Sequence, residues 1–232
     1  MSEGFEFVFA VINELKKLGK PYKIKASKQS LGLYYNDKTY LWGTTIMPSS
    51  YSSESFIRLE VKLLIKPLVF DKIDKILRHA PDENLGDALN INIARSFYCI
   101  SENSYKYDRD KLKNGEITTR MIAQTLLDDA MKSMNEFWKN INEKYTDFFQ
   151  FLTSKKEEQP VIAGLAYIAL KQYDKAIECF EYSEASGKYW AICFGSWKRY
   201  YHLIALDYCK VMANNMEWKE EFVVGGIEHL NL

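Results

Sequence analysis

Residues Phe5 to Leu18 set Phe5, Val8, Phe9, Ile12, Leu15 and Leu18 at helical spacing, with Glu6, Asn13, Glu14, Lys16 and Lys17 elsewhere on the cylinder. This spacing predicts an amphipathic helix, stopped by Gly19 and Pro21. From Tyr22 the period falls to two: Tyr22, Ile24 and Ala26 alternate with Lys23, Lys25 and Ser27, which predicts a strand with one wet face. The stretch from Leu31 to Trp42 reads as a hairpin. With Asn36 and Asp37 as a two-residue turn, Leu33 faces Tyr40 and Leu31 faces Trp42. After a polar loop from Pro48 to Ser53, Ile57, Leu59, Val61, Leu63 and Ile65 alternate with Arg58, Glu60, Lys62 and Leu64. That is the pattern of a half-buried inner strand, and Pro67 ends it. Phe70, Ile73, Ile76 and Leu77 mark a short helix closing near Pro81. Between Leu85 and Asp108 the alternation of Leu89, Ile91 and Ile93 and the apolar run from Ser96 to Ile100 favour strand, and Lys111 to Gly115 reads as a polar turn.

From Glu116 to Gln159 the chain contains neither Gly nor Pro. Leu127, Met131, Met134, Trp138, Ile141, Tyr145, Phe148 and Leu152 alternate steps of four and three, a heptad seam that must dock lengthwise on something. A break is expected at Thr146 and Asp147, with Asp147 capping a new helix and Gln150 at its third position. The seam fits a dimerising coiled coil or packing within the monomer; Phe137 and Phe149 widen the stripe, which favours the second. Ser154 to Pro160 is a charged linker and the one candidate boundary. Beyond it, Ala163 to Leu170, Asp174 to Ala185 and Tyr189 to Met212 carry apolar stripes, and Gly225 and Gly226 break the tail. The expected architecture is α+β: residues 1–155 with an N-terminal helix, a small antiparallel sheet and a long helix, then an all-helical region at 156–232.

Composition narrows the function classes. The 232 residues carry 31 basic and 31 acidic side chains, so no global field draws the chain to nucleic acid or an anionic membrane. The lysine strip Lys20, Lys23, Lys25 and Lys28 beside Tyr22 could bind single-stranded nucleic acid, but lysines on a strand more often protect an edge from pairing, so nucleic acid is not the expected partner. Cys99, Cys179, Cys193 and Cys209 form no C-x-x-C pair and read as buried, reduced thiols of a cytoplasmic protein. The N-terminus lacks the features of a signal peptide, and no apolar run approaches the ~18 residues of a membrane span.

The chain is poor in recognisable chemistry. His79, His202 and His229 have no His or Cys neighbour at metal-ligand spacing, and there is no phosphate loop or dinucleotide fingerprint. No metal, cofactor or nucleotide is therefore expected. Ser196 lacks the second glycine of a nucleophile elbow. Asp108 and Asp110 flank Arg109 in an apparent loop, where a solvated turn is the commoner outcome, and Asp128 and Asp129 diverge on a helix by about 100°.

Gly164, Tyr167, Ala176, Phe180 and Ser183, with the turn Lys171-Gln172-Tyr173-Asp174 and Asp174 as N-cap, make a pattern that resembles one tetratricopeptide helical hairpin at residues 160–187. One repeat length of 34 further on stands Lys198, where the signature is absent. The resemblance implies a protein-contact surface; an ordinary αα-hairpin accounts for the same residues. In its order of helix, small sheet and long helix, the first half resembles bacterial α+β domains that include toxin-neutralising immunity proteins. Tyr and Trp are abundant, with 16 and 5 copies, and Tyr189, Trp190, Trp197, Tyr200, Tyr201 and Tyr208 cluster on one stretch. On a helix Trp190, Trp197 and Tyr201 share a stripe, and they are the expected partner contacts, though the same stripe could be core. The expected function is a non-catalytic protein-interaction module, an immunity or adaptor protein acting as monomer or homodimer; the alternative is an enzyme or small-ligand binder with its site in a crevice between the halves.

Overall fold

The computed structural model describes residues 3–28, 31–78, 97–189 and 199–232, and the architecture is α+β. The alternation at Leu89 to Ile93 and the positions of His79, Trp190, Cys193, Ser196 and Trp197 lie outside the described residues. The chain divides into two compact units: Met1–Pro67 with Asp87–Asn140, and Leu68–Gly86 with Ile141–Leu232. In this division the first unit closes at Asn140, and one early segment, Leu68–Gly86, belongs with the second unit. A reading along the chain assigns that segment to its sequence neighbours, because its helical partners come much later.

In the first unit, helix α1 (Glu3–Leu18) buries Val8, Val11, Ile12 and Leu15, carries Glu3 and Glu6 in its first turn and Lys16 and Lys17 in its last, and so complements its own dipole. A 3-10 turn (Lys20–Tyr22) follows, and Lys23 in the left-handed region (φ 58°) turns the chain into strand β1 (Lys25–Ser27). The expected strand from Tyr22 is thus only three residues long. Strands β2 (Gly32–Asn36), β3 (Tyr40–Pro48), β4 (Phe56–Pro67) and β5 (Tyr98–Asp108) complete an antiparallel sheet in sequence order, with β1 and β5 at its edges.

The β2–β3 turn departs from the expected one. Tyr35 pairs with Trp42, and the corner is at Lys38 (φ 75°) and not at Asn36 and Asp37. The Asp37 carboxylate decides this by accepting the N–H groups of Thr39 (2.9 Å) and Tyr40 (2.7 Å). The slip preserves the faces, so Leu33, Tyr35 and Trp42 remain on the same side as Ile57, Leu59, Val61, Leu63 and Ile65. Gly32 is required where β2 crosses β3: a Cβ there would stand 1.7 Å from the Thr44 carbonyl oxygen.

Beyond β5, Asp108 caps a short helix α3 (Arg109–Lys113) by accepting from the N–H groups of Asp110 and Lys111, where a polar turn was expected. Helix α4 (Thr119–Lys144) then lies along the covered sheet face, with Ile122, Leu126, Leu127, Ala130 and Met134 buried. Of the eight seam residues, Leu127, Met134, Ile141, Phe148 and Leu152 are buried by the chain itself, in keeping with intramolecular packing, while Met131, Trp138 and Tyr145 are half-buried.

The second unit is helical. Helix α2 (Val69–Arg78) buries Phe70, Ile73, Asp74 and Leu77 and packs with later helices. Helix α5 (Phe148–Thr153) begins with Asp147 as the expected N-cap, accepting from the Gln150 N–H (2.8 Å), and Gln150 Oε1 reaches back to accept from the N–H of Thr146, one residue before the cap (2.6 Å). Helices α6 (Pro160–Ala169) and α7 (Tyr173–Ser186) pack as a hairpin in which Gly164 meets the Phe180 ring. The N-cap of α7 is Gln172, which places Asp174 inside the first turn. Helix α8 (Tyr201–Ala213) starts well after Tyr189, and α9 (Glu220–Gly225) ends at Gly226 (φ 75°).

Candidate binding cleft

Three aromatic elements of the first unit converge where β2, β3 and α4 meet. Antiparallel pairing sets Tyr35 opposite Trp42, and their rings sit 5.8 Å apart. On α4, Met131, Met134 and Trp138 follow each other by three and four residues and so present one stripe to the sheet. The Trp138 ring lies 5.2 Å from Tyr40 and 5.6 Å from Phe137, and Phe137 stacks on Tyr98. Ile24, buried where the chain enters β1, supplies a floor, and Tyr22 stands at the rim with 55% of its surface exposed. Together Tyr22, Ile24, Tyr35, Trp42, Met131, Met134, Asn135 and Trp138 line a cleft of about 260 Å³.

Its lining contains no carboxylate, imidazole, thiol, ammonium or guanidinium. It can therefore bind by burial, by ring edges and faces, and through the phenols, indoles and Asn135 amide. Lys20, Lys23 and Lys25 flank the lining residues in sequence, and all three are exposed. Lys25 sits on the edge strand, and Lys28 lies 5.3 Å above the Phe9 ring.

Other concavities belong to the same unit. A cleft of about 440 Å³ is lined by Phe7, Ile57, Leu112 and Ile117, with Arg109 at its mouth. The Arg109 guanidinium is already engaged, Nε with the Ser53 carbonyl (2.8 Å) and Nη1 with Glu3. A polar groove of about 360 Å³ runs between β5 and α4 past Asn103, Tyr105, Asp129 and Ser133. There Tyr105 donates to Asp129 (2.8 Å), and burial, with that carboxylate, pushes its phenol well above the usual tyrosine range. Burial, with the Asp129 charge, likewise pushes Tyr107 up to about 12. Neither phenol is poised as an acid or base near neutrality.

Of the expected partner contacts, Trp190 and Trp197 lie outside the described residues. Tyr201 is only 2% exposed, so it is an interior residue of the second unit and not a displayed anchor. Burial and the Asp74 carboxylate hold its phenol well above the ordinary value. The reason for the difference is the late start of α8: Tyr201 is its first residue and points inward, instead of extending a stripe along an unbroken helix.

Among the described residues His202, Cys179 and Cys209 are sealed, whereas His229 is exposed and Cys99, expected to be buried, is only half-buried on the edge strand β5. His202 is fully buried, stacked on Tyr189 (4.6 Å) and bonded through Nε2 to Glu184. Burial pushes the Cys179 thiol up to about 11 and the Cys209 thiol higher, the reverse of what a nucleophile needs. Among the described residues no three His, Cys, Asp or Glu side chains are grouped to hold a metal, and no helix is long and apolar enough to cross a membrane.

The sequence reading found the components of the cleft separately, as a hairpin and a helical seam, but not their meeting. The available signal was parity: Tyr35 and Trp42 fall on one sheet face in either hairpin register, and that face is the one an apolar helix must cover. Comparison with family models, curated proteins and solved structures returned no match.

Proposed function

We propose that the protein is a non-catalytic binding module whose aromatic cleft takes an apolar side chain from an acidic segment of a partner protein. The observation that carries this reading is the lining of Tyr22, Tyr35, Trp42, Met131, Met134 and Trp138, rich in the residue types of protein interfaces and free of ionisable groups suited to catalysis. At about 260 Å³ the cleft is below the ~300 Å³ at which pockets for drug-sized ligands begin, which favours a side chain over a cofactor. The exposed Lys20, Lys23 and Lys25 favour a negatively charged flank on the partner. An immunity or adaptor protein is the kind of role in which such a surface acts without chemistry.

The test is a titration of two labelled peptides, each a run of Asp and Glu with a single central Leu or a central Ala. The Leu peptide should perturb the indole emission and bind at least tenfold more tightly than the Ala peptide. Tyr22→Ala, at an exposed position, should abolish about 2 kcal/mol of that binding while leaving the fold unchanged. Added salt should weaken binding by screening the lysines. Equal affinity for both peptides, or preference for a basic version, would overturn the reading.

A further inference from the structure

We infer that the protein associates with a second copy of itself by antiparallel pairing of the two β5 edges, in the register that sets Ser104 opposite the partner's Ser104 and Glu102 opposite the partner's Lys106. The inference is independent of the aromatic cleft. Among the described residues no strand lies beyond β5, so every second residue of it directs an N–H and a C=O away from β4 with no strand to receive them. The two edges of the sheet differ. Strand β1 is three residues long, whereas β5 runs for eleven, Tyr98–Asp108, with no Pro or Gly to interrupt it.

The register follows from charge. Two copies related by a two-fold axis can pair only residues of the same parity, because an outward N–H must meet an outward C=O. Centring on Ser104 places Glu102 against the partner's Lys106, Lys106 against the partner's Glu102, and Asn103 against the partner's Tyr105. Centring on Tyr105 would place Glu102 against the partner's Asp108, a like-charge pair. Centring on Asn103 would leave Lys106 facing the partner's Ile100, with no counter-charge. Centring on Tyr107 would set Lys106 against the partner's Asp108 but leave only three residues of each strand paired. Of these registers, the Ser104 one alone joins electrostatic self-complementarity to extensive strand overlap.

Cross-strand partners within the sheet give this register a second support. Lys106 lies directly opposite Arg58 on the open face, two like charges in register, with the Lys106 ammonium 4.0 Å above the Phe56 ring. Glu102 lies opposite Lys62 and is bonded to it at 3.1 Å. Among the described residues no carboxylate is ion-paired with this basic pair at one end of the edge, and a carboxylate stands at the other. The two-fold brings them together: each Glu102 is flanked by its own Lys62 and the partner's Lys106, and each Lys106 gains a carboxylate. A lysine on an edge discourages pairing with an arbitrary strand. In this register it selects a copy of its own.

Sedimentation velocity across a wide range of concentrations tests the pairing, with chain fold followed by far-ultraviolet circular dichroism. The wild-type protein should show a reversible monomer–dimer equilibrium. Glu102→Lys and Lys106→Glu should each raise the dissociation constant at least tenfold, and the double reversal should restore it. Lys106→Glu removes the repulsion with Arg58, so its loss of dimer should come with an undiminished thermal midpoint, which separates it from misfolding. A wild-type chain that stays monomeric throughout, a dimer indifferent to both single reversals, or a double reversal that fails to re-associate would each overturn the inference.

Discussion

Gly164→Ala sets two well-understood effects against each other, and the geometry decides between them. A Cβ on residue 164 would stand 2.6, 2.8 and 2.9 Å from Cζ, Cε1 and Cε2 of Phe180, whereas carbon atoms in comfortable contact are about 3.5–4.0 Å apart. The ring would have to retreat by roughly 1 Å to restore contact distance. Phe180 is fully buried in its helical unit, so the displacement propagates into packed neighbours, at a cost of about 1–3 kcal/mol. Replacing a mid-helix glycine by alanine returns about 1 kcal/mol of helix propensity. The net expectation is a loss of up to about 2 kcal/mol, read as a lower midpoint in urea unfolding followed by helical dichroism. Phe180→Leu should be destabilising alone because it opens a void, yet the double substitution should be less harmful than the sum of the singles by at least ~0.5 kcal/mol. If Gly164→Ala raised stability by about 1 kcal/mol, propensity would be acting unopposed and the close approach of α6 and α7 would be wrong; strict additivity in the double would refute the contact equally.

Trp138→Ala, at a half-buried ring set against Tyr40 and Phe137, should cost about 3 kcal/mol in urea unfolding, and an unchanged midpoint would remove α4 from the sheet face. Asp147→Ala removes the reciprocal cap of α5 and should cost about 1 kcal/mol, whereas Asp147→Asn, which keeps the acceptor, should cost much less. Tyr107 and Tyr208 are held up to about 12 by burial, with help from the Asp129 charge for the first and from Tyr173 for the second. Because the folded phenols hold their protons more tightly than the unfolded ones at about 10, their contribution to stability is complete below about pH 10 and is lost as pH rises through about 12. Tyrosinate absorbance rising in step with unfolding in that window is expected, and full ionisation of the native protein near pH 10 would contradict it. Cys179 and Cys209 should resist a water-soluble disulfide reagent at neutral pH until the chain is unfolded.

Local and periodic signals were legible from residues alone; long-range ones were not. The helical spacing from Phe5 to Leu18 gave α1, the alternation from Ile57 to Ile65 gave β4, and Asp147 with Gln150 gave the cap of α5, because each is decided by near neighbours. The hairpin turns two residues later than the Asn36-Asp37 pair suggests, because the Asp37 carboxylate, accepting two backbone N–H groups, outweighs the turn preference of that pair. Helical spacing places Tyr201 on a continuation of the Trp190–Trp197 stripe, whereas its burial follows from a helix start that the aromatic-rich sequence does not mark. The cleft depends on β2, β3 and α4 meeting across about a hundred residues, and periodicity within an element carries no such information.

The placement of α2 has a consequence for how the chain is made. Its apolar residues Phe70, Ile73 and Leu77 pack with α6, α8 and α9, and its Ile76 carbonyl accepts from the Trp218 indole N–H at 3.1 Å. On a ribosome this helix emerges long before any of those partners, and the whole of β5 and α4 is synthesised in between. The second unit therefore closes only when the C-terminal residues appear, after the sheet has its full sequence available. A chain released early, or cut near residue 155, would leave a short amphipathic helix with a bare apolar face, a natural grip for a chaperone or a protease. Attaching the C-terminal segment as a separate polypeptide should rescue such a fragment in trans, with α2 as the receiving element.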